Sequence, residues 1–172
     1  PSLVGSEMCI RDSLNIGSNQ DRRKNIRLAI DSLNSNFSNI TLSSLYESPS
    51  EGFAGSNFYN LGVNVESDHN INNVVEILRK IENTLGRDRS MPKFSSRIID
   101  LDLVLYNDVI DKILNVPRKD ILKYAFVMAP LAELNPQDSH PQLGISYSKL
   151  WSEFQSTKDF DLNQYNINKL FD

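Results

Sequence analysis

The stretch FSSRIIDLDLVLYND, Phe94 to Asp108, sets two aspartates, Asp100 and Asp102, two positions apart in a run of Ile, Leu and Val. Side chains of a strand alternate between faces, so Ile99, Leu101, Leu103 and Leu105 are expected on one side and Asp100, Asp102 and Val104 on the other. Two carboxylates at adjacent same-face positions repel, and burying them without a counter-charge costs several kcal/mol. An exposed edge strand with a polar outer face would carry such a pair. So would a cation site, where hard oxygen ligands two apart hold one or two Mg²⁺ ions with positions left for phosphates. The strand alone leaves both readings open.

Immediately upstream, LGRDRSMPKFSSR (residues 85–97) brings Arg87, Arg89, Lys93 and Arg97 close to both carboxylates. Arginine forks bind phosphate oxygens bidentately and carboxylates hold Mg²⁺ against the same oxygens, which together suit a nucleotide polyphosphate. A surface salt-bridge network would use the same residue types.

Further out, Ile71, Val74, Val75, Leu78, Ile81 and Leu85 make the apolar stripe of a helix from about Asn70 to Leu85, stopped by Gly86. NFYNLGVNVES (57–67) alternates cleanly, with Tyr59, Leu61, Val63 and Val65 on one face and Phe58, Asn60 and Asn64 on the other. ITLSSLYES (40–48) reads as one strand closed by Pro49. Ile26, Ala29, Ile30, Leu33 and Phe37 mark a first helix from about Arg22 to Ser35, and LNIGSNQ (14–20) is the end of a short strand entering a turn. The order strand, helix, strand, strand, helix, strand predicts an α+β domain with a ferredoxin-like βαββαβ core, an antiparallel sheet with both helices on one face. The helices then cover Leu101, Leu103 and Leu105, and Asp100 and Asp102 face away beside Phe58 and Asn60. Downstream, VPRKDILKYAFVMAPLAELNP (116–136) predicts short helical turns broken by Pro130 and Pro136. SYSKLWSEF (146–154) predicts a helix that completes a C-terminal helical extension, and the tail from Gln155 to Asp172 is expected to dock weakly.

At 172 residues and 40% apolar content the chain supports one core. A net charge of −4 and a pI near 5.2 disfavour a nucleic-acid surface, and no apolar run approaches a membrane span. One cysteine, Cys9, rules out an internal disulfide and fits a reducing, cytoplasmic setting. His69 and His140 have no partners at ligand spacing for zinc. Residues 1–13, PSLVGSEMCIRDS, lack both a signal-peptide pattern and strand-like alternation, and Asp12 falls in core-side register with Leu14 and Ile16. Residues 1–13 are therefore expected to be a non-native segment, 14–154 the domain, and 155–172 a tail.

The segments NIGSN (15–19), SSLYESPSEGFAGSNFYN (43–60), IENTLGRDR (81–89), FSSRIIDLDLVLY (94–106) and FVMAPLAELNP (126–136), followed by His140-Pro141, occur in order along the chain. Over about Leu14 to Phe154 this set resembles the 6-hydroxymethyl-7,8-dihydropterin pyrophosphokinase family of the folate pathway. The resemblance implies the ferredoxin-like fold and transfer of the β,γ-diphosphate of ATP to the pterin hydroxymethyl group, releasing AMP. It makes ATP a co-substrate and implies two Mg²⁺ ions on Asp100 and Asp102, with Arg87 and Arg97 completing the catalytic set. Glu82, Arg87, Arg89, Arg97 and Arg118 would contact ATP. Phe58 and Phe126 would stack on the pterin, Asn60 would bind its edge, and Ser48 and Pro49 would read it through the backbone. Phe94 stands where the family frequently has a Trp. Arg118, Lys119 and Tyr124 stand where much of the family has a Pro-His-Tyr stretch followed by an arginine, the mark of a divergent branch. Small-molecule substrates are the implied partners, with no nucleic acid and no membrane; the oligomeric state is left open. A related enzyme acting on another pterin, or a non-catalytic pterin- or nucleotide-binding module, are the alternatives.

Overall fold

In chain order the elements are β1 (Ile10–Ser18), α1 (Arg22–Asn36), β2 (Ser38–Leu42), β3 (Leu45–Ser48), β4 (Phe58–Ser67), α2 (Ile71–Thr84), β5 (Asp100–Tyr106), α3 (Ala125–Leu134), α4 (Tyr147–Thr157) and β6 (Asn163–Tyr165), with 3-10 turns at Lys119–Leu122 and Ile167–Leu170. The structure, a computed structural model, describes residues 10–52, 54–87, 90 and 97–172. The strands lie in the order β5-β1-β4-β3-β6, with β2 also on β4, and every pairing is antiparallel. This is the ferredoxin-like arrangement expected from the element order.

The apolar stripes of α1 (Ile26, Ala29, Leu33) and α2 (Val74, Leu78, Ile81) bury against Leu14, Ile16, Leu61, Val63, Leu101 and Leu103 on one face of the sheet. The residues between these point to the opposite face. There Gly62 lets α3 approach so closely that a Cβ on it would lie 3.0 Å from Pro130. A second cluster, including Val104, Leu105, Ile121, Val127, Met128, Leu131 and Leu150, fills that side. Helix α3 covers the second face around Gly62 and leaves the part around Gly17 open, which is where the cavity forms.

Five local expectations are corrected. Leu105 does not join Leu101 and Leu103 under the helices. Ser13 pairs with Leu105 but Leu14 with Leu103, so Val104 is an extra residue on β5 and the alternation reverses after it. The single strand over 40–48 is two. Ser43 takes over the ladder: its N–H donates to Gly62 O (3.0 Å), its Oγ accepts from Gly62 N (2.8 Å), and the register on β4 slips by one residue between β2 and β3. Pro130 does not break the chain into turns but sits inside α3. The carbonyl it cannot reach, Phe126 O, receives the Asn15 side-chain amide instead (3.1 Å), which satisfies the acceptor that the missing N–H leaves open.

At the N-terminus the strand begins at Ile10 rather than Leu14. Ile10 to Ser13 pair with Ser67 to Asn64, because ladder bonds use main-chain groups whatever the side chains are. Asp12 takes the core-side position its register demands, fully buried, and neither of its oxygens has a hydrogen-bond partner among the described residues. Residues 1–9 lie outside the described part. The tail docks more firmly than expected: β6 extends the sheet beyond β3, and Leu170 is fully buried between α1 and β3.

Candidate active site

Three adjacent strands form the floor. Asp100 on β5 pairs with Gly17 on β1, which pairs with Asn60 on β4; one step along, Asp102 pairs with Asn15 and Asn15 with Gly62. The strand face therefore carries a carboxylate row at the β5 edge and an amide at β4, with a bare backbone between. The bareness is required, since a Cβ on Gly17 would lie 3.0 Å from Asn60 Oδ1. Above this floor is a cavity of about 360 Å³, in the range of small-ligand pockets. Both early readings of the aspartate pair hold something: β5 is the edge strand, and its carboxylates open onto the cavity.

The charged end is built from three elements. Helix α2 stops at Gly86, whose φ of +94° suits glycine, and the turn brings Arg87 N–H back to Glu82 O (3.0 Å). Arg87 Nη1 then donates to Glu82 Oε2 at 2.8 Å and also to the Asp100 carboxylate. Burial opposes the Arg87 charge, but Asp100 and Glu82 outweigh it, so the guanidinium holds its proton more tightly than usual. Glu82, next to Ile81 of the apolar stripe, does not face solvent. It is buried, and its Oε2 also accepts from Leu101 N (2.8 Å), tying the start of β5 to α2. Arg118, held by its N–H on Val104 O (2.9 Å), donates from Nε to Asp120 (3.1 Å) and lies 3.5 Å from Asp102 through Nη2. Burial, and next the Asp100 charge, raise the Asp102 carboxyl to about 7 against the pull of Arg118.

Arg97 also lines the cavity. Its placement explains the NIGSN motif: Asn19 N–H donates to Arg97 O (3.0 Å) while Arg97 N–H donates to Asn19 Oδ1 (2.7 Å). The turn after β1 thus clamps the approach to β5.

At the other end Ser48, Pro49, Phe58, Asn60 and Phe126 all line the cavity. Asn60 Nδ2 donates to Ser48 Oγ at 2.9 Å, which orients the amide. Phe126 stacks on Tyr124, with ring centroids 5.0 Å apart and planes 20° from parallel, at the start of α3. Lys119 is exposed and takes no part in the lining. Arg89 and Phe94 lie outside the described residues. Among the lining residues that sequence reasoning passed over are Asn15 and Asp120, and Tyr124, singled out only as a departure from the family pattern, lines it as well. The signal for Asn15 was present, since the alternation that pairs Asp100 with Asp102 also puts a lone amide on the Gly17 face of an apolar strand. Among the described residues no three or more His, Cys, Asp or Glu side chains converge on a metal position. The aspartate pair would leave most ligand positions of a Mg²⁺ ion to phosphate and water, the usual division for that ion. No described helix is long and apolar enough to cross a membrane.

The profile of the 7,8-dihydro-6-hydroxymethylpterin-pyrophosphokinase family matches residues 13–136. The chain belongs to this family. Members of this pyrophosphokinase family are ATP-dependent diphosphokinases of folate synthesis. The 2-amino-4-hydroxy-6-hydroxymethyldihydropteridine pyrophosphokinase of Aquifex aeolicus is 32% identical over 146 residues, 83% of this chain and 88% of that protein. The Bacillus subtilis protein of the same name is 34% identical over 99 residues, 56% of this chain and 59% of that one. Longer relatives contain the same region: the chain spans only 14% of the folic acid synthesis protein FOL1 of Dictyostelium discoideum, at 30% identity. A solved Plasmodium falciparum HPPK-DHPS structure superposes with a TM-score of 0.69 at 16% identity, over 86% of this chain and 43% of that one, a likeness of fold.

Proposed function

We propose that this chain transfers the β,γ-diphosphate of ATP to the hydroxymethyl oxygen of 6-hydroxymethyl-7,8-dihydropterin. The alcohol oxygen attacks the β-phosphorus, the bond from that phosphorus to the oxygen bridging the α-phosphate breaks, AMP leaves, and the alcohol proton passes to solvent. One observation carries the reading: a carboxylate pair set among arginines and an aromatic-amide pocket share a single strand face, separated by the bare floor at Gly17. The first suits a polyphosphate and the second a flat heterocycle rich in donors and acceptors.

Asp100 and Asp102 offer the hard oxygens that would hold Mg²⁺, two ions in this reading. When bound, the cation neutralises charge on the triphosphate oxygens. Arg87 and Arg97 hold phosphate oxygens as charge builds on them in the transition state. Glu82 serves ATP indirectly, by aiming Arg87, and Arg89 is assigned to the same substrate. Phe58 and Phe126 flank the pterin ring, Asn60 and the Ser48-Pro49 segment read its edge, and Phe94 is assigned to its cover. A cytoplasmic location belongs to the same reading, because the reaction draws on ATP. Incubation with ATP, Mg²⁺ and the pterin should yield AMP; ADP, or no turnover, would overturn the assignment.

Two substitutions separate the substrates. Phe58→Ala and Asn60→Ala should each weaken pterin binding roughly tenfold, since ring stacking and one amide contact are each worth about 1 kcal/mol or a little more, and leave ATP-analogue binding unchanged. Calorimetry with each ligand checks this, and equal losses for both ligands would mark the two as core residues.

Arg118→Ala should raise the KM for ATP by about ten- to a hundredfold, the usual loss for a charge-assisted contact, and the effect should shrink as salt is added. Steady-state kinetics at fixed pterin measure it. An unchanged KM would leave Arg118 as no more than a counter-ion for Asp102 and Asp120.

A further inference from the structure

We infer that Asn15 is a positioning residue for the attacking alcohol, its side-chain carbonyl accepting the hydrogen bond of the pterin hydroxymethyl O–H. The inference rests on the function proposed above. Asn15 is 6% exposed and lines the cavity, with Asp102 as its cross-strand neighbour on one side and Gly62 on the other. Its orientation is chemically determined. Pro130 lacks the N–H that would bond Phe126 O, and the Asn15 amide takes that carbonyl at 3.1 Å. A carbonyl only accepts, so the atom facing it is the amide nitrogen, and Oδ1 is left for another donor. Among the described residues no group donates to Oδ1, and it is not among the polar atoms sealed from solvent. An amide oxygen that opens onto the cavity takes its donor from water, or from a ligand group that displaces that water.

The place matters as much as the vacancy of the acceptor. Asn15 stands between Asp102, at the phosphate end, and Phe126, at the ring end. Only one part of the acceptor substrate must occupy that junction, the hydroxymethyl group that attacks phosphorus. An amide oxygen is too weakly basic to take the proton. It accepts the O–H bond and so turns a lone pair of the alcohol toward the β-phosphorus, restricting the reactant to an attacking geometry.

The test compares 6-hydroxymethyl-7,8-dihydropterin with 6-methyl-7,8-dihydropterin, which lacks only the hydroxyl, by calorimetry in Mg²⁺ and α,β-methylene-ATP. Asn15→Ala should weaken the hydroxymethyl compound roughly three- to tenfold, the value of one neutral hydrogen bond, and leave the methyl compound within twofold. It should also lower kcat with little change in the KM for ATP. Because Asn15→Ala also frees the Phe126 carbonyl, a second variant, Asn15→Ala with Pro130→Ala, restores an N–H to that carbonyl from within α3. It should keep the selective loss. Equal loss on both pterins in the double variant, or no loss on either, overturns the role of Asn15. Failure of the wild-type chain to bind either pterin takes down the functional reading along with it.

Discussion

Asp100→Asn and Asp102→Asn should each reduce kcat by at least about 10²- to 10³-fold at saturating Mg²⁺, the scale of losing one well-placed electrostatic contact to a transition state. Neither change should unfold the protein. With Asp100 neutralised, Arg87 keeps its 2.8 Å contact to Glu82, and Glu82 keeps Leu101 N. With Asp102 neutralised, the fold loses a carboxylate whose ionised form is already disfavoured by burial and by Asp100, its proton held to about 7. The thermal midpoint of Asp102→Asn should therefore match or exceed that of the wild type at pH 8. Kinetics and a melting curve on the same preparations decide the matter. A variant within tenfold of wild-type kcat would remove that aspartate from the cation site, and a collapsed melt would make it structural.

Asp12→Val should stabilise the protein by roughly 2–3 kcal/mol at pH 8, after allowance for partial solvent screening, which is about 5–10 °C for a chain of this size. Asp12 lies between Val65 and Tyr106 in the ladders of β1, fully buried, with neither oxygen bonded. Burial is the dominant cause and raises its carboxyl from 3.8 to about 7. The unfolded chain thus releases this proton near pH 3.8 and the folded chain near pH 7. Between these values the folded state binds more protons, so wild-type stability contributed by this group falls as pH rises and levels off above about 7. The valine variant should lack that slope, and its advantage should narrow toward pH 4. Urea unfolding at several pH values measures both curves. A pH-independent difference, or a loss of stability, would mean that the Asp12 carboxylate is solvated in solution.

The order of strands and helices was legible in the chain because it rests on local periodicity. The alternation of Tyr59, Leu61, Val63 and Val65 is a strand facing a core whatever lies across from it, and the stripe from Val74 to Ile81 is a helix face on the same ground. The Asp-x-Asp pair was legible for the same reason, since a spacing of two puts both carboxylates on one face. The sequence could not show what those carboxylates meet. Arg118 reaches Asp102, Arg87 joins Glu82 to Asp100, and Asn19 clamps Arg97, each by folding distant segments together. Nor does local periodicity reveal that Val104 is an extra residue in its ladder, which reverses Leu105, or that Pro130 is accommodated within a helix by an amide from residue 15. Alternation and helical stripes depend on residues two to four apart, which any short window contains. Register, the choice of which sheet face stays open, and the pairing of buried charges depend on sums of contacts between residues far apart in the chain, and those sums exist only once the sheet and helices have packed.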